Sequence, residues 1–263
     1  MNEGRLESYF SYIPFFAFIF PTTFLAVSYA LILIVKRPSN YILSPSDLGI
    51  NQPEQGIYTI ALTLGSVMTF TVQLLRYIQI NSLYPRKTKR VNFTSFICGV
   101  VMICAQVTAA AFSQDYEQIS HYSAGSIYFV FGCIYMITQT YLSQVLPMHH
   151  IRSIVFFRLI CTIIGCISPI IFGTTFFLSK VDDFGNKIQK LTQWVLLFFL
   201  HVFICSFSWD FNRIKFNSYS LDKRFSFSGS TQGIINNTDY PRNQTRINRF
   251  SSRSSAHYRN SYL

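Results

Sequence analysis

Residues 121–147 read HYSAGSIYFVFGCIYMITQTYLSQVLP and carry no formal charge after His121. As a helix, about 25 of them, residues 122–146, suffice to cross a hydrocarbon core of ~30 Å. The stretch is not uniformly apolar. His121, Gly125, Tyr128, Gly132, Tyr135, Gln139 and Ser143 follow one another at steps of four, three, four, three, four and four. Such spacing gathers them on one helix face and leaves Ile127, Phe131, Ile134 and Val145 mostly elsewhere. In lipid, small residues let helix backbones approach, and polar side chains need partners other than hydrocarbon. The pattern predicts a helix inside a bundle, one face toward protein and the rest toward lipid.

The rest of the chain agrees with that environment. Half of the 263 residues are hydrophobic and 13% are charged, with 27 Phe and 16 Tyr, a composition foreign to a soluble domain. Six apolar stretches are long enough to span: 12–35, 57–75, 91–112, 122–146, 154–178 and 191–209. The first has Glu3 and Glu7 before it and no small-residue cleavage site, so it reads as a retained helix rather than a signal peptide. The expected fold is all-α: a six-helix transmembrane domain over 1–209, then a tail, 210–263, too polar to bury a core and expected to be disordered. No connection exceeds about twenty residues, which leaves no room for a soluble domain.

The net charge of +11 is concentrated in the connection after the second stretch (Arg76, Arg86, Lys87, Lys89, Arg90) and in the tail. The connection 113–121 holds instead Asp115 and Glu117, so both termini are expected on the cytosolic side, although Lys36 and Arg37 oppose the rule. Without a nucleic-acid-binding motif, the basic balance points to a membrane and not to nucleic acid. Expected partners are the lipid bilayer, anionic lipid at the basic tail, and unidentified membrane proteins. Ser226 and Ser251 follow a basic residue by two positions, and their phosphorylation would release the tail from lipid. All six cysteines lie in apolar stretches and suggest buried thiols rather than a disulfide framework.

Ionisable residues inside a bilayer are candidates for function. Arg158 lies about one turn inside the fifth stretch, placed to snorkel to headgroups. His201 sits near the middle of the sixth and is expected to hydrogen-bond within the bundle. No Asp or Glu falls inside any of the six stretches, which argues against a proton- or sodium-coupled transporter. His149 and His150 have no carboxylate or thiol at ligand spacing. Gly165, Pro169 and Gly173 share a face suited to close helix crossing. No catalytic motif, metal set or cofactor fingerprint is present, so an enzyme is not expected. The first connection is rich in turn chemistry. Asp47 suits an Asx-turn, Gly49 a positive φ, Pro53 a helix start, and Glu54 complements a helix N-terminus.

PSDLGINQPEQGIY (45–58) resembles the first-loop motif of the damage-regulated autophagy modulators, the DRAM/Frag/Sfk group: Ile-Ser-Asp-Thr-Gly-Thr followed by Pro-Glu. Ser46, Asp47, Gly49, Pro53 and Glu54 match, whereas Pro45, Leu48 and Ile50 depart. A second family feature, a His, a small-residue run, Gln, Ser and Pro, is matched by His121, Gly125, Gly132, Tyr135, Gln139, Ser143 and Pro147. Arg158 with Pro169, and Asp210 with Phe211, also fall where the family has such residues. The resemblance covers roughly 13–211. It implies a non-enzymatic six-span protein of lysosomal or late-endosomal membranes that promotes autophagy. It leaves open a plasma-membrane scaffold for phosphoinositide 4-kinase signalling. A transporter or channel for a small solute or lipid is the rival class, drawing on the polar stripe, Arg158 and His201.

Overall fold

A computed structural model describes residues 10–35, 42–84, 86, 88–146, 152–178 and 183–211. The Lys36–Arg37 pair, His149, His150 and the tail from 212 onward, with its serines, lie outside the described residues. The elements run α1 (Tyr12–Ile34), a 3-10 turn (Ser46–Gly49), α2 (Glu54–Leu83), α3 (Lys89–Ala111), α4 (Gln118–Val145), α5 (Arg152–Leu178), α6 (Asp183–Cys205) and a short α7 (Ser208–Phe211). Among the described residues there is no strand.

Five helices are both long and apolar enough to cross a membrane: α1, α2, α3, α5 and the α6–α7 stretch. The exception is α4, the stretch on which the sequence reading turns. At 28 residues it is long enough, but its polar stripe lowers its overall apolarity. Its position explains how that polarity is tolerated. α4 packs against α3, α5 and α6, and His121, Tyr128, Gly132, Tyr135, Gln139 and Ser143 are buried, while Ile127, Val130 and Ile137 face outward.

Sequence boundaries fail most at α2. No Gly or Pro interrupts residues 66–84, so the helix runs on to Leu83 and stops just before Pro85, well past the expected end at 75. This carries Arg76 into the helix. At the other end of the bundle's sequence, Asp210 and Phe211 belong to α7 and are buried, not part of a tail beginning at 210. α1 continues through Pro21 and α5 through Pro169. Neighbouring helices make such prolines tolerable in lipid; Gly65 of α2 lies against the Pro21 ring.

The core holds a main apolar cluster around Met102, Tyr135, Met136, Leu200, Phe203 and Phe207, a second near the 42–53 connection around Leu25, Leu48, Tyr58 and Leu62, and a small third of Ile80, Leu142 and Leu146. Ile60, Leu64 and Val67 on α2 and Ile163, Ile167 and Ile170 on α5 are exposed. Outward-facing apolar rows of this extent suit a lipid environment. Cys98 and Cys161 are buried and Cys104 is exposed, all three as free thiols.

Gly49 does not adopt positive φ, contrary to the sequence expectation. Its requirement is steric: a Cβ there would sit 2.8 Å from the Tyr58 ring, which packs directly on the backbone. Gly173 has open space around the same position. Gly49→Ala is therefore expected to cost about 1–3 kcal/mol through overpacking, read as a lowered thermal midpoint in detergent. Gly173→Ala is expected to be neutral or slightly stabilising, by up to about 1 kcal/mol of helix propensity.

Candidate functional site

The polar face of α4 ends in two networks, one at each end of the bundle. At its N-terminal end it meets the 42–53 connection. There Ser44 and Asp47 cap each other: the Ser44 N–H donates to Asp47 Oδ2 at 2.8 Å, and the Asp47 N–H donates to Ser44 Oγ at 3.1 Å. This reciprocal pairing is the capping box, here closing a 3-10 turn, and replaces the expected Asx-turn. Asp47 also receives Gln114 Nε2 at 2.9 Å and pairs with Lys190 Nζ at 3.1 Å. Ser46 Oγ lies 3.1 Å from His121 Nε2 and donates to Gln193 Oε1 at 3.3 Å. His121 Nδ1 faces the Ala109 and Phe112 carbonyls at 3.0 and 2.8 Å, so it carries a proton. Trp194 Nε1 donates to the Leu43 carbonyl at 2.8 Å. The Ser-Asp pair thus binds the connection to α4, α6 and the 112–117 loop. Pro53 is the N-cap of α2, and Glu54, its first helical residue, is buried.

At the other end a carboxylate stands between two arginines. Arg158 Nη2 lies 2.6 Å and Arg76 Nη1 3.0 Å from the same Asp210 oxygen, and both arginines are 0% exposed. Arg158 also donates to Ser143 Oγ at 2.8 Å and to Ser206 Oγ and carbonyl at 2.8 and 3.0 Å. Arg76 donates to Gln79 Oε1 at 2.8 Å and toward Gln139 Oε1 at 3.4 Å; Gln139 in turn donates to Ser95 Oγ at 3.0 Å. Both guanidiniums stand over the Phe207 ring, 5.2 and 4.6 Å from its centroid. Desolvated cation–π contacts of this kind contribute about 2 kcal/mol or more each. The network joins α2, α3, α4, α5 and the segment after α6.

Three sequence expectations are corrected here. Arg76 is not a loop cation but a buried helical one. Arg158 does not snorkel; it points into the bundle, where Asp210 offers a charge partner that headgroups would otherwise supply. And Asp210 is not the first residue of a tail: it is 5% exposed, buried in the bundle at the end of the last long apolar stretch. The missed signal was readable in Gln73, Arg76 and Gln79, polar residues at steps of three on a helix with no breaker. Of the remaining candidates, Gly125 and Gly132 lie along α4 between the two networks, Tyr135 is buried in the core, and His201 is buried with Nδ1 2.7 Å from the Leu197 carbonyl, one turn back.

Residues 9–214 match the family model of the Frag1/DRAM/Sfk1/Cwh43P N-terminal domain. The chain belongs to the Frag1/DRAM/Sfk1 family. Among curated proteins it is similar to DNA damage-regulated autophagy modulator protein 2 of Mus musculus, 25% identical over 152 residues, 57% of each chain. The Rattus norvegicus protein of the same name is 26% identical over the same share. Transmembrane protein 150A of Mus musculus is 24% identical over 173 residues, 65% of this chain and 62% of that one. The matched part spans little more than half the length of the autophagy-modulator relatives. No solved structure matches the chain. The family region, ending at 214, takes in both networks, including Asp210.

Removing one member of a buried ion pair leaves an uncompensated charge. Asp210→Ala sets two guanidiniums against each other and is expected to cost about 3–5 kcal/mol, measured as a fall in thermal midpoint in detergent. Combining it with Arg76→Leu and Arg158→Leu is expected to recover part of the loss, because no charge is then desolvated.

Proposed function

We propose that this protein is a non-enzymatic regulator of autophagy on lysosomal or late-endosomal membranes, crossing the bilayer six times with both termini in the cytosol. The observation that carries the reading is the similarity, over 152 residues, to autophagy modulator protein 2, together with family membership across residues 9–214. Its mode of action is contact with other membrane proteins and with lipid. The buried charged groups support this, because Arg76, Arg158 and Asp210 are engaged with one another rather than aimed at a transport path.

The six-span topology rests on α4. Its polar stripe is turned toward α3, α5 and α6, and Ile127, Val130 and Ile137 stand on the mid-helix surface left for lipid despite the mixed sequence. Arg86, Lys89 and Arg90 flank the α2–α3 turn, and Asp115 and Glu117 the α3–α4 loop. That asymmetry favours a cytosolic Arg76–Asp210 end and a luminal 42–53 connection.

The test is a tag at native expression level, imaged against lysosomal and plasma-membrane markers, with autophagic flux measured in starved cells with and without the gene. A lysosomal rim and a reduced flux on deletion are expected. Plasma-membrane staining, or flux unchanged by deletion, would overturn the proposal.

A further inference from the structure

Near the middle of α4 and α5, two thiols from different helices meet. The antiparallel register of the two helices is fixed on either side of them. Ser143 Oγ accepts from Arg158 at 2.8 Å, the Thr140 and Thr162 hydroxyls share a hydrogen bond of 2.8 Å, and the Phe129 and Phe172 rings stand 5.6 Å apart. Between these pairs the Cys133 thiol donates to the Gly165 carbonyl at 3.7 Å, and the Cys133 and Cys166 thiols are hydrogen-bonded to each other. Gly165 permits the approach. A Cβ there would sit 2.5 Å from Met136 Cε, so the backbone of α5 comes close to α4 at this level. Both cysteines are free and only partly buried. They adjoin outward apolar rows at helical steps of three and four: Cys133 lies between Val130 and Ile137, and Cys166 between Ile163 and Ile170, all four exposed.

That setting decides which chemistry suits the pair. Two sulfurs fall short of the four ligands of a structural zinc site. Ionic thiol chemistry needs a thiolate, but among the described residues no charged side chain acts on either sulfur, and an unpaired charge in hydrocarbon is costly. Transfer of a hydrogen atom creates no charge. The species that take hydrogen atoms inside a bilayer are the peroxyl radicals of oxidised acyl chains, and these reach the sulfurs from the lipid side. One lipid peroxyl radical takes the hydrogen atom of one thiol and becomes a hydroperoxide; a second takes the hydrogen atom of the other. The two sulfur radicals, already in contact, then pair their electrons in an S–S bond. Two thiols and two peroxyl radicals thus become one disulfide and two hydroperoxides.

We propose that Cys133 and Cys166 form a modification site at which lipid peroxyl radicals close a disulfide between α4 and α5. The inference rests on α4 and α5 crossing the bilayer and is independent of the autophagy reading. In the assay, the purified full chain in nanodiscs of polyunsaturated phosphatidylcholine is exposed to a lipid-soluble azo initiator in air, and the intact mass and the cysteine-containing peptides are followed by mass spectrometry. A chain lighter by two hydrogens, with its Cys133 and Cys166 peptides joined, is expected. Cys133→Ser and Cys166→Ala are each expected to abolish the joined peptide, whereas Cys104→Ser, which removes an exposed thiol on α3, is expected to leave it unchanged. Before oxidation, a membrane-impermeant maleimide is expected to label neither Cys133 nor Cys166. Oxidised lipid around a chain that keeps both thiols, or that pairs them with other cysteines, would overturn the proposal alone. Labelling of the pair by the maleimide would overturn the lipid-phase step together with the crossing of the bilayer on which it rests.

Discussion

One carboxylate holds the far end of the bundle together. Asp210 lies within 3.0 Å of both Arg76 and Arg158, and without it two fully buried guanidiniums would face each other in a medium that screens charge poorly. Everything else at that end depends on this arrangement. Ser143 and Gln139 of α4 turn inward because arginine donors reach them, and Phe207 is held beneath both guanidiniums. The chain after α6 turns back into the bundle, because its acidic residue has partners there and nowhere in lipid. The same constraint explains how the helix with the most mixed sequence can pack into the bundle: its polar groups are met from inside.

The opposite end is held by a single carboxylate as well, here met by one lysine and by neutral groups. A short connection with little apolar surface is fixed by a reciprocal cap between Ser44 and Asp47, and then tied outward through Gln114, Lys190, His121 and Gln193. The Gly49 backbone serves as a seat for the Tyr58 ring. The motif residues of this connection are therefore parts of one bracket. Their spacing reflects which helices must be joined.

Much of this was legible in the sequence. Helix periodicity located the apolar helices, and the steps of three and four along α4 marked its inward face, because a helix repeats wherever the chain is. The resemblance drew attention to Ser46, Asp47, His121, Gln139 and Asp210. Periodicity, however, says nothing about partners. Arg76 looked like a loop cation because a hydropathy run ends at the first charge, whereas the helix ends at the next breaker. Asp210 looked like the start of a tail for the same reason. Arg158 looked able to snorkel because its counter-charge lies 52 residues away in sequence.

That α4 is an enclosed crossing helix, stabilised from within, is the central claim, and accessibility on its two sides tests it most directly. Tyr116, just before α4, is 84% exposed, and Arg152, the first residue of α5, is exposed as well. Single cysteines at these positions, probed in sealed vesicles with a membrane-impermeant thiol reagent, report which side each faces. The account predicts labelling from opposite sides. Labelling of both from the same side would contradict it, because α4 would then return to the surface it left.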